Sequence, residues 1–252
     1  MVIIMNKNKW AVIGAGNGGQ AAAAHLALKG YDVAVYDIYK QTVDEINSLG
    51  GITLHGAIEG FGKILFADTD IGRVMEDAHV IMIVLPAMYI TSIAEKCAFH
   101  LVDGQIVLLH PGSTFGPIAF SLAASNAGCK ADYLLGGTST LLYACRIINN
   151  GFVNILGVKE KISGASLPSS RNYDLQKAVE HVYPEIEYLN NVIEAGLENM
   201  NAIVHPAPAL LNTCKIDTGE DFAYYSDGFT PAIADFAEQI DAERVHIGER
   251  WV

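Results

Sequence analysis

A glycine-rich segment near the amino terminus has the spacing of a nucleotide-binding turn. It directly follows the apolar run Lys9–Ile13 and opens an alanine-rich stretch of helical character. In such a strand-turn-helix unit the first glycine allows the tight turn, the second lets the backbone approach a pyrophosphate, and the third lets the helix pack on the strand. The helix N-terminus adds free N–H groups and a partial positive charge. The pattern therefore predicts a dinucleotide site built from Gly14, Ala15, Gly16, Asn17, Gly18 and Gly19.

An acidic residue follows the second apolar run at the distance such a site needs. Asp37 stands eighteen positions after Gly19, at the end of the run Tyr31–Tyr36. A carboxylate there accepts hydrogen bonds from the adenosine ribose hydroxyls and repels a 2′-phosphate. NAD is therefore favoured over NADP, although the nearby Lys40 keeps NADP open as the second choice. The alternative for these residues is a tight turn and a solvated carboxylate with no ligand.

A histidine in the last third of the chain is the candidate for proton transfer. His205 precedes Pro206 and follows an amphipathic stretch. Histidine side chains in general exchange a proton near neutral pH, and the reduction of a carbonyl or imine needs a proton donor. Asn201 lies four residues earlier, one helical turn away, so both residues are expected on one face. A histidine that packs in the core or caps a helix is the alternative interpretation.

Alternating strands and helices must position these residues. The unbroken apolar runs Val80–Leu85 and Ile106–Leu109 are typical of parallel strands covered on both faces. Two short runs within residues 51–70 predict a hairpin, and runs between residues 133 and 158 are expected to extend the sheet, with antiparallel strands near residue 150. The fold class predicted is α/β, with a doubly wound, mostly parallel sheet of Rossmann type. Cofactors lie at the carboxyl ends of such strands, which adds three candidate residues: Leu85, Pro86 and Ala87.

The character of the chain changes after about residue 160. Small residues over Ser163–Ser170 predict a linker, and apolar residues recur at helical spacing from Tyr173 onward. We therefore expect an NAD-binding domain over residues 1–172 and a smaller, all-helical substrate and dimerisation domain over residues 173–252. An apolar stripe near the end needs covering and predicts self-association as a homodimer. The stripe consists of Ile233, Phe236 and Ile240.

Composition excludes several functional classes. The 252 residues carry 16 Lys and Arg against 28 Asp and Glu, a net charge of −12, which disfavours nucleic acid and anionic membrane surfaces as partners. The four cysteines have no Cys-x-x-Cys spacing, so we expect no zinc site and no disulfide framework. The apolar runs are too short to span a bilayer. These observations predict a soluble cytoplasmic protein.

Several motifs together make the sequence similar to a known family, the opine dehydrogenases, also called the octopine and nopaline dehydrogenases. The resemblance runs through Gly14–Gly19, Leu85–Ala87, Asp103–Gln105, Thr138–Arg146 and Asn199–Pro206. It implies a dinucleotide domain followed by a helical domain. It also implies the activity of joining an amino acid to a 2-oxo acid, commonly pyruvate, and reducing the imine with a nicotinamide hydride.

The same resemblance assigns roles to single residues. His205 corresponds to the proton donor, and Thr140 and Cys145 resemble positions close to the oxo acid and the nicotinamide. Arg146 is either a substrate-carboxylate ligand or a structural ion-pair partner. Ordinary burial is the alternative for Cys145, and a turn-terminating role for Thr140. Asn201 completes the substrate-binding set.

Members of the family continue beyond the length of this sequence, which we interpret as a truncation. The resemblance places in that later part an aspartate that orients the histidine and an arginine that binds substrate carboxylate. Four aspartates are candidates for a substitute partner of His205, with a solvated carboxylate as the alternative for each: Asp217, Asp221, Asp227 and Asp235.

Two other functions remain open at this level. One is a two-domain dehydrogenase that acts on a hydroxy acid or on glycerol 3-phosphate. The other is a homologue that binds NAD but catalyses no reaction.

Overall fold

The structure is a computed structural model that describes residues 6–251. Its strands are β1 Asn6–Ile13, β2 Asp32–Tyr36, β3 Gly51–Gly56, β4 Gly60–Lys63, β5 Phe66–Asp68, β6 Ala78–Ile83, β7 Ile106–Leu109, β8 Leu134–Thr138, β9 Tyr143–Asn149, β10 Phe152–Val158, β11 Ile162–Leu167 and β12 Ile186–Tyr188. Its α-helices are α1 Asn17–Leu28, α2 Lys40–Leu49, α3 Ile71–Met75, α4 Ile90–Ala98, α5 Gly116–Asn126, α6 Asn172–Val179, α7 Val192–Leu197, α8 Asn201–Val204, α9 Pro206–Leu211, α10 Thr213–Thr218 and α11 Pro231–Trp251.

The main sheet has the order β12-β11-β8-β7-β6-β1-β2-β5. Its central strands are parallel, and β11 runs antiparallel to β8. Alternate residues of each strand enter different hydrophobic clusters: Val12 and Met82 lie in one, Ile13 and Ile83 in the other. Both faces are therefore buried, which explains the unbroken apolar runs and confirms the predicted Rossmann-type sheet.

A second sheet with the order β4-β3-β10-β9 corrects part of the prediction. Residues 143–158 do not extend the main sheet but pair with the predicted hairpin, and Phe66–Asp68 leaves that hairpin to pair with β2. The alanine-rich α1 explains this arrangement, because it packs against strands of both sheets. A Cβ at Gly62 would lie 2.5 Å from the Ala24 carbonyl oxygen, so the second sheet lies almost in contact with the helix backbone.

The chain divides into two compact units between Gly196 and Leu197, later than the predicted boundary at residues 172/173. The reason is that the predicted linker was wrong: most of Ser163–Ser170 belongs to β11, an interior strand. Helix α6 then buries Leu175 and Val179 in the sheet's core. The outer limits of the predicted domains, residues 1–5 and 252, lie outside the described residues.

The second unit is helical over its described residues, as predicted. Its core consists of Ile203, Ala207, Ile233 and Ala237, with Phe229 and Ile240 packed against it. Part of the predicted apolar stripe is therefore covered within the unit, while Phe236 remains 39% exposed. Within residues 6–251, no helix combines the length and the hydrophobicity needed to cross a bilayer.

Candidate active site

The carboxyl ends of the central parallel strands meet at one edge of the main sheet. Backbone hydrogen bonds connect successive ends: Gly14 N donates to Tyr36 O, Val84 N to Ile13 O, and His110 N to Ile83 O. Loops that follow different strands are therefore held side by side. A cleft of about 340 Å³ opens at the ends of β1, β2 and β6.

The glycine-rich turn fits a dinucleotide. A Cβ at Gly19 would lie 1.7 Å from the Gly14 carbonyl oxygen, so the helix start needs glycine there. Gly16 also lines the cleft, but a Cβ on it would meet no protein atom within 4 Å. The space in front of Gly16 is thus open toward the cleft, as the approach of a pyrophosphate requires. Gly14 lines the same cleft at a backbone φ of 106°.

Asp37 also lines this cleft, and its carboxylate is held in place. Oδ2 accepts a hydrogen bond from Ala15 N at 2.7 Å, and Oδ1 accepts one from Tyr39 N at 2.9 Å. Each carboxylate oxygen keeps capacity for a further donor, such as a ribose hydroxyl. Lys40, which kept NADP open, instead pairs with Asp44 at 2.7 Å one helical turn along α2. It is not among the residues that line the cleft.

The remaining predicted cofactor residues divide into two groups. Leu85 and Pro86 line the cleft, whereas Ala87 does not and opens a single 3₁₀ turn. Asn17 uses its side chain elsewhere, because Oδ1 accepts a hydrogen bond from Ile147 N at 2.7 Å. Gly18 packs against Leu141, to which a Cβ would come within 2.8 Å.

Sequence reasoning missed cleft residues supplied by α4 and the turn before it. The sequence did contain an indication of them. A helix that directly follows Pro86 begins at the carboxyl edge of the sheet, so the residues of its first turns lie beside the cleft. The residues missed are Tyr89, Ser92, Ile93 and Lys96.

Gln20 was also missed, and it ties the glycine turn to the second sheet. Its buried amide donates to Ala15 O at 2.9 Å and to Asn150 Oδ1 at 3.2 Å. Its Oε1 accepts from Gly151 N at 2.8 Å. The glycine turn is therefore fixed to the tip of the β9–β10 hairpin.

The segment that carries Thr140 is held by a buried histidine that the sequence did not reveal. His110 Nε2 accepts a hydrogen bond from Leu142 N at 3.2 Å, so the ring proton is on Nδ1, which lies 2.9 Å from Thr138 Oγ1. Thr138 Oγ1 in turn donates to the Thr140 carbonyl at 3.0 Å. Burial, and secondly the charge of Lys159, lower the pKa of His110 to about 3, so the imidazole is neutral.

The other substrate-site candidates of this unit do not lie together. Cys145 is buried in the core, and burial raises the pKa of its thiol. Arg146 follows it on β9 and is exposed, because adjacent strand residues face opposite sides. Within residues 6–251 no carboxylate forms an ion pair with Arg146, whose Nη1 donates to the Cys145 carbonyl at 2.9 Å. The structural ion-pair alternative therefore finds no support in the described residues.

His205 stands in the second unit, where it ends α8 and precedes α9. Its Nδ1 lies 3.2 Å from the Asn201 carbonyl, which only accepts, so Nδ1 carries a proton and Nε2 faces the Tyr225 hydroxyl at 2.7 Å. The Tyr224 hydroxyl donates to the His205 carbonyl. The His205 ring thus contacts Asn201 through the backbone carbonyl of Asn201 and not through its side chain.

Within residues 6–251, none of the four candidate aspartates forms a hydrogen bond with the His205 ring, whose two nitrogens contact the Asn201 carbonyl and the Tyr225 hydroxyl. Asp227 instead accepts from Ala223 N at 3.1 Å, which closes the turn that presents both tyrosines. The hydrogen-bond partner of Nε2 in the His205 ring is instead the Tyr225 hydroxyl. Among residues 6–251 there is also no cluster of three or more His, Cys, Asp or Glu residues that could hold a metal ion.

Comparison with known proteins decides the family. Over 249 residues, 98% of the chain, the sequence is 36% identical to an opine dehydrogenase from Arthrobacter sp. (strain 1C), and the match covers 69% of that protein. The chain belongs to the opine dehydrogenase family. The family model for the α-helical domain of NAD/NADP octopine/nopaline dehydrogenase matches residues 188–251. A model for the N-terminus of NAD-dependent glycerol-3-phosphate dehydrogenase matches residues 9–111.

Solved structures agree on the fold. An octopine dehydrogenase solved with NADH and pyruvate has a TM-score of 0.68 at 18% identity, covering 85% of this chain and 57% of that one. A ketopantoate reductase from Ralstonia eutropha JMP134 has a TM-score of 0.72 at 16% identity, covering 96% of this chain and 74% of that one. This chain therefore spans little more than half of the octopine dehydrogenase. Opine dehydrogenases are NAD(P)-dependent oxidoreductases that act on CH–NH donors. In this member Gly14, Gly16 and Asp37 line one cleft.

Proposed function

We propose that this chain reduces the imine formed between an amino acid and a 2-oxo acid such as pyruvate, with NADH as the reductant. The observation that carries the proposal is the cleft containing Gly14, Gly16 and Asp37 in a chain 36% identical to an opine dehydrogenase along nearly all of its length. In this proposal residues 6–196 hold the cofactor, and the proton donor, His205, belongs to the helical unit. Bound NADH supplies the hydride.

NAD is the cofactor we propose over NADP. The fixed Asp37 carboxylate repels a 2′-phosphate, and Lys40, already paired with Asp44, is not placed in the cleft to offset it. NADH should therefore bind at least about tenfold more tightly than NADPH, and Asp37→Ser should reduce this difference in affinity. Fluorescence titration of each protein with each nucleotide measures the dissociation constants. Equal affinity of the unaltered protein for NADH and NADPH would contradict the preference.

His205 is the proton donor in this proposal. In the neutral ring Nε2 accepts from the Tyr225 hydroxyl, so Nε2 is the atom that takes up the proton to be delivered. When His205 is protonated, Nε2 can donate a proton to the nitrogen or oxygen of the substrate that gains negative charge during the reduction. Asn201 orients the ring through its backbone carbonyl, and Thr140 remains a proposed substrate-site residue. Cys145, which is buried in the core, and Arg146, which faces the opposite side of β9, are not part of this proposal.

The test is NADH oxidation, followed by absorbance, with pyruvate and a pooled mixture of amino acids. Turnover should require both substrates and fall about 100-fold or more in His205→Ala. His246→Ala is the matched control, because His246 is an exposed histidine of the same helical unit, and its Nδ1 lies 3.7 Å from Glu249 Oε2. It should leave turnover unchanged.

Other outcomes separate the alternatives. Oxidation of a hydroxy acid without any amine would favour a hydroxy-acid dehydrogenase. NADH binding without turnover on any pair of substrates would favour a non-catalytic homologue. Equal loss of activity in both histidine variants would remove the specific role of His205.

We also propose that the protein forms a homodimer. Phe236 and Val245 of α11 remain 39% and 45% exposed, and Ile247 is 47% exposed, which leaves apolar surface for a second copy. Size-exclusion chromatography with light scattering should show a dimer at micromolar concentration. A monomer there would contradict it.

A further inference from the structure

One cation beside the predicted substrate loop has no acidic partner within residues 6–251. Lys159 directly follows β10, and its backbone N donates to the Leu142 carbonyl at 3.0 Å. Its Nζ donates to Thr140 Oγ1 at 2.8 Å. No carboxylate among the described residues pairs with this ammonium group, whereas Lys161, two positions later, pairs with Glu187.

The position of this pair relative to the cofactor cleft follows from the sheet order. The cleft and Asp37 lie at the ends of β2, β1 and β6. Thr140, which accepts the hydrogen bond from Lys159, follows β8, and β7 separates β8 from β6 in the sheet. A dinucleotide in this fold lies across the strand ends, so its end remote from the adenosine extends toward β7 and β8. Leu141, next to Thr140, packs on Gly18 beside Val84, which lines the cleft.

The loop that contains Thr140 is held in place by hydrogen bonds to buried groups. The neutral ring of His110 accepts from Leu142 N and, through Thr138, fixes the Thr140 carbonyl. The side chain of Lys159 is exposed, so its ammonium group is accessible to a ligand, and partial burial lowers its pKa.

We propose that Lys159, together with the Thr140 hydroxyl, binds the carboxylate of the 2-oxo acid. The ammonium group and the hydroxyl offer adjacent donors, which match the two oxygens of a small planar carboxylate. Lys159 is then a binding and specificity-determining residue that selects acids over neutral carbonyl compounds. The inference rests on the proposed function for the identity of the ligand.

The test is calorimetric titration of the NADH-loaded protein with oxamate, an unreactive isostere of pyruvate. Lys159→Met should weaken oxamate binding about 10- to 100-fold, the range expected for a lost charge-assisted hydrogen bond. Lys159→Arg should restore most of it, and Lys161→Met, the matched control, should bind like the unaltered protein. Pyruvamide, which lacks the charge, should bind the unaltered protein and Lys159→Met equally weakly.

Retained oxamate binding by Lys159→Met would overturn the inference, as would equal losses for oxamate and pyruvamide, or no oxamate binding by the unaltered NADH-loaded protein. NADH titration of each variant reports folding of the cofactor site. Failure of the proposed function is a separate result. If oxamate binding depends on Lys159 but no amino acid supports turnover, the carboxylate site stands and the imine reduction does not. If turnover is found and Lys159→Met binds oxamate normally, the imine reduction stands and the carboxylate site at Lys159 does not.

Discussion

The surroundings of the glycine turn and those of His205 are built in different ways. Around the glycine turn, Gln20 and His110 are fully buried, and each makes hydrogen bonds with at least two partners. Around His205 the ring is exposed and is held by a backbone carbonyl and a tyrosine hydroxyl. The first region is held in one arrangement, since buried and fully paired polar groups have few alternative positions. The second depends on exposed contacts, each of which contributes little.

The largest expected effect tests how tightly the first region is packed. Gly19→Ala places a methyl group 1.7 Å from the Gly14 carbonyl oxygen, so the turn must open. We expect a loss of about 3 kcal/mol or more in the free energy of unfolding. Urea unfolding followed by circular dichroism measures it.

Gly16→Ala is the matched control for that substitution. Its added methyl group meets no atom of a packed neighbour within 4 Å, so the loss of stability should be limited to the cost of alanine at a helix N-cap, about 1 kcal/mol. NADH binding should nevertheless weaken at least about tenfold, because the methyl group occupies the approach of the pyrophosphate. Equal stability losses in the two variants would contradict the steric argument.

The second prediction concerns acid. Burial lowers the pKa of His110 to about 3 and that of His25 to about 4, both below the ordinary 6.5. The unfolded chain therefore binds more protons between about pH 6.5 and pH 4, and folding stability, fully present above pH 6.5, falls as the pH drops. Each histidine contributes a slope of about 1.4 kcal/mol per pH unit.

Measured from pH 7 to 4.5, the unfolding free energy of His25→Leu should show a shallower slope than that of the unaltered protein, by up to about 1.4 kcal/mol per pH unit near pH 5. Comparison of slopes separates the titration of His25 from the loss of its 2.9 Å contact with the Tyr143 hydroxyl. Parallel curves for the two proteins would show that His25 is not buried in its neutral form.

The third prediction compares one buried amide from each region. Gln20→Met leaves the Gly151 N–H without its acceptor and should cost about 2 kcal/mol. Asn212→Leu removes two bonds to carbonyl oxygens, those of Pro208 and Gly228, and should cost about 1 kcal/mol.

Hydrogen exchange locates the two losses. In Asn212→Leu, faster exchange should be confined to residues 206–233, because the core of that unit is small and its helices are short. In Gln20→Met it should appear around the glycine turn and the β9–β10 hairpin. Faster exchange throughout residues 6–196 in Asn212→Leu would remove the distinction between the regions.

The smallest effect is expected for Tyr225→Phe. The hydroxyl is exposed, so its loss should change the free energy of unfolding by less than about 1 kcal/mol. The bond from Nδ1 to the Asn201 carbonyl remains, and the ¹⁵N spectrum of the His205 ring should still show the Nδ1–H tautomer. A change of tautomer would show that Tyr225, rather than the backbone, sets the position of the proton.

Local patterns determined much of this protein. The unbroken apolar runs specify a parallel sheet, and the glycine spacing with the acid at Asp37 predicts a dinucleotide turn, because each pattern depends on residues close together in the chain. The spacing of apolar residues likewise predicted the helices in the last third of the chain. The resemblance located the family, but it did not place the individual side chains.

Only the tertiary structure decided the rest. Residues 143–158 entered a second sheet because α1, rich in alanine, accepts a second layer. Ser163–Ser170 looked like a linker because its residues are small, yet β11 lies between β8 and β12. The tautomer of His110 and the approach of Lys159 to Thr140 join residues 32 and 19 positions apart. Such contacts are fixed by packing across the sheet, and no local periodicity encodes them.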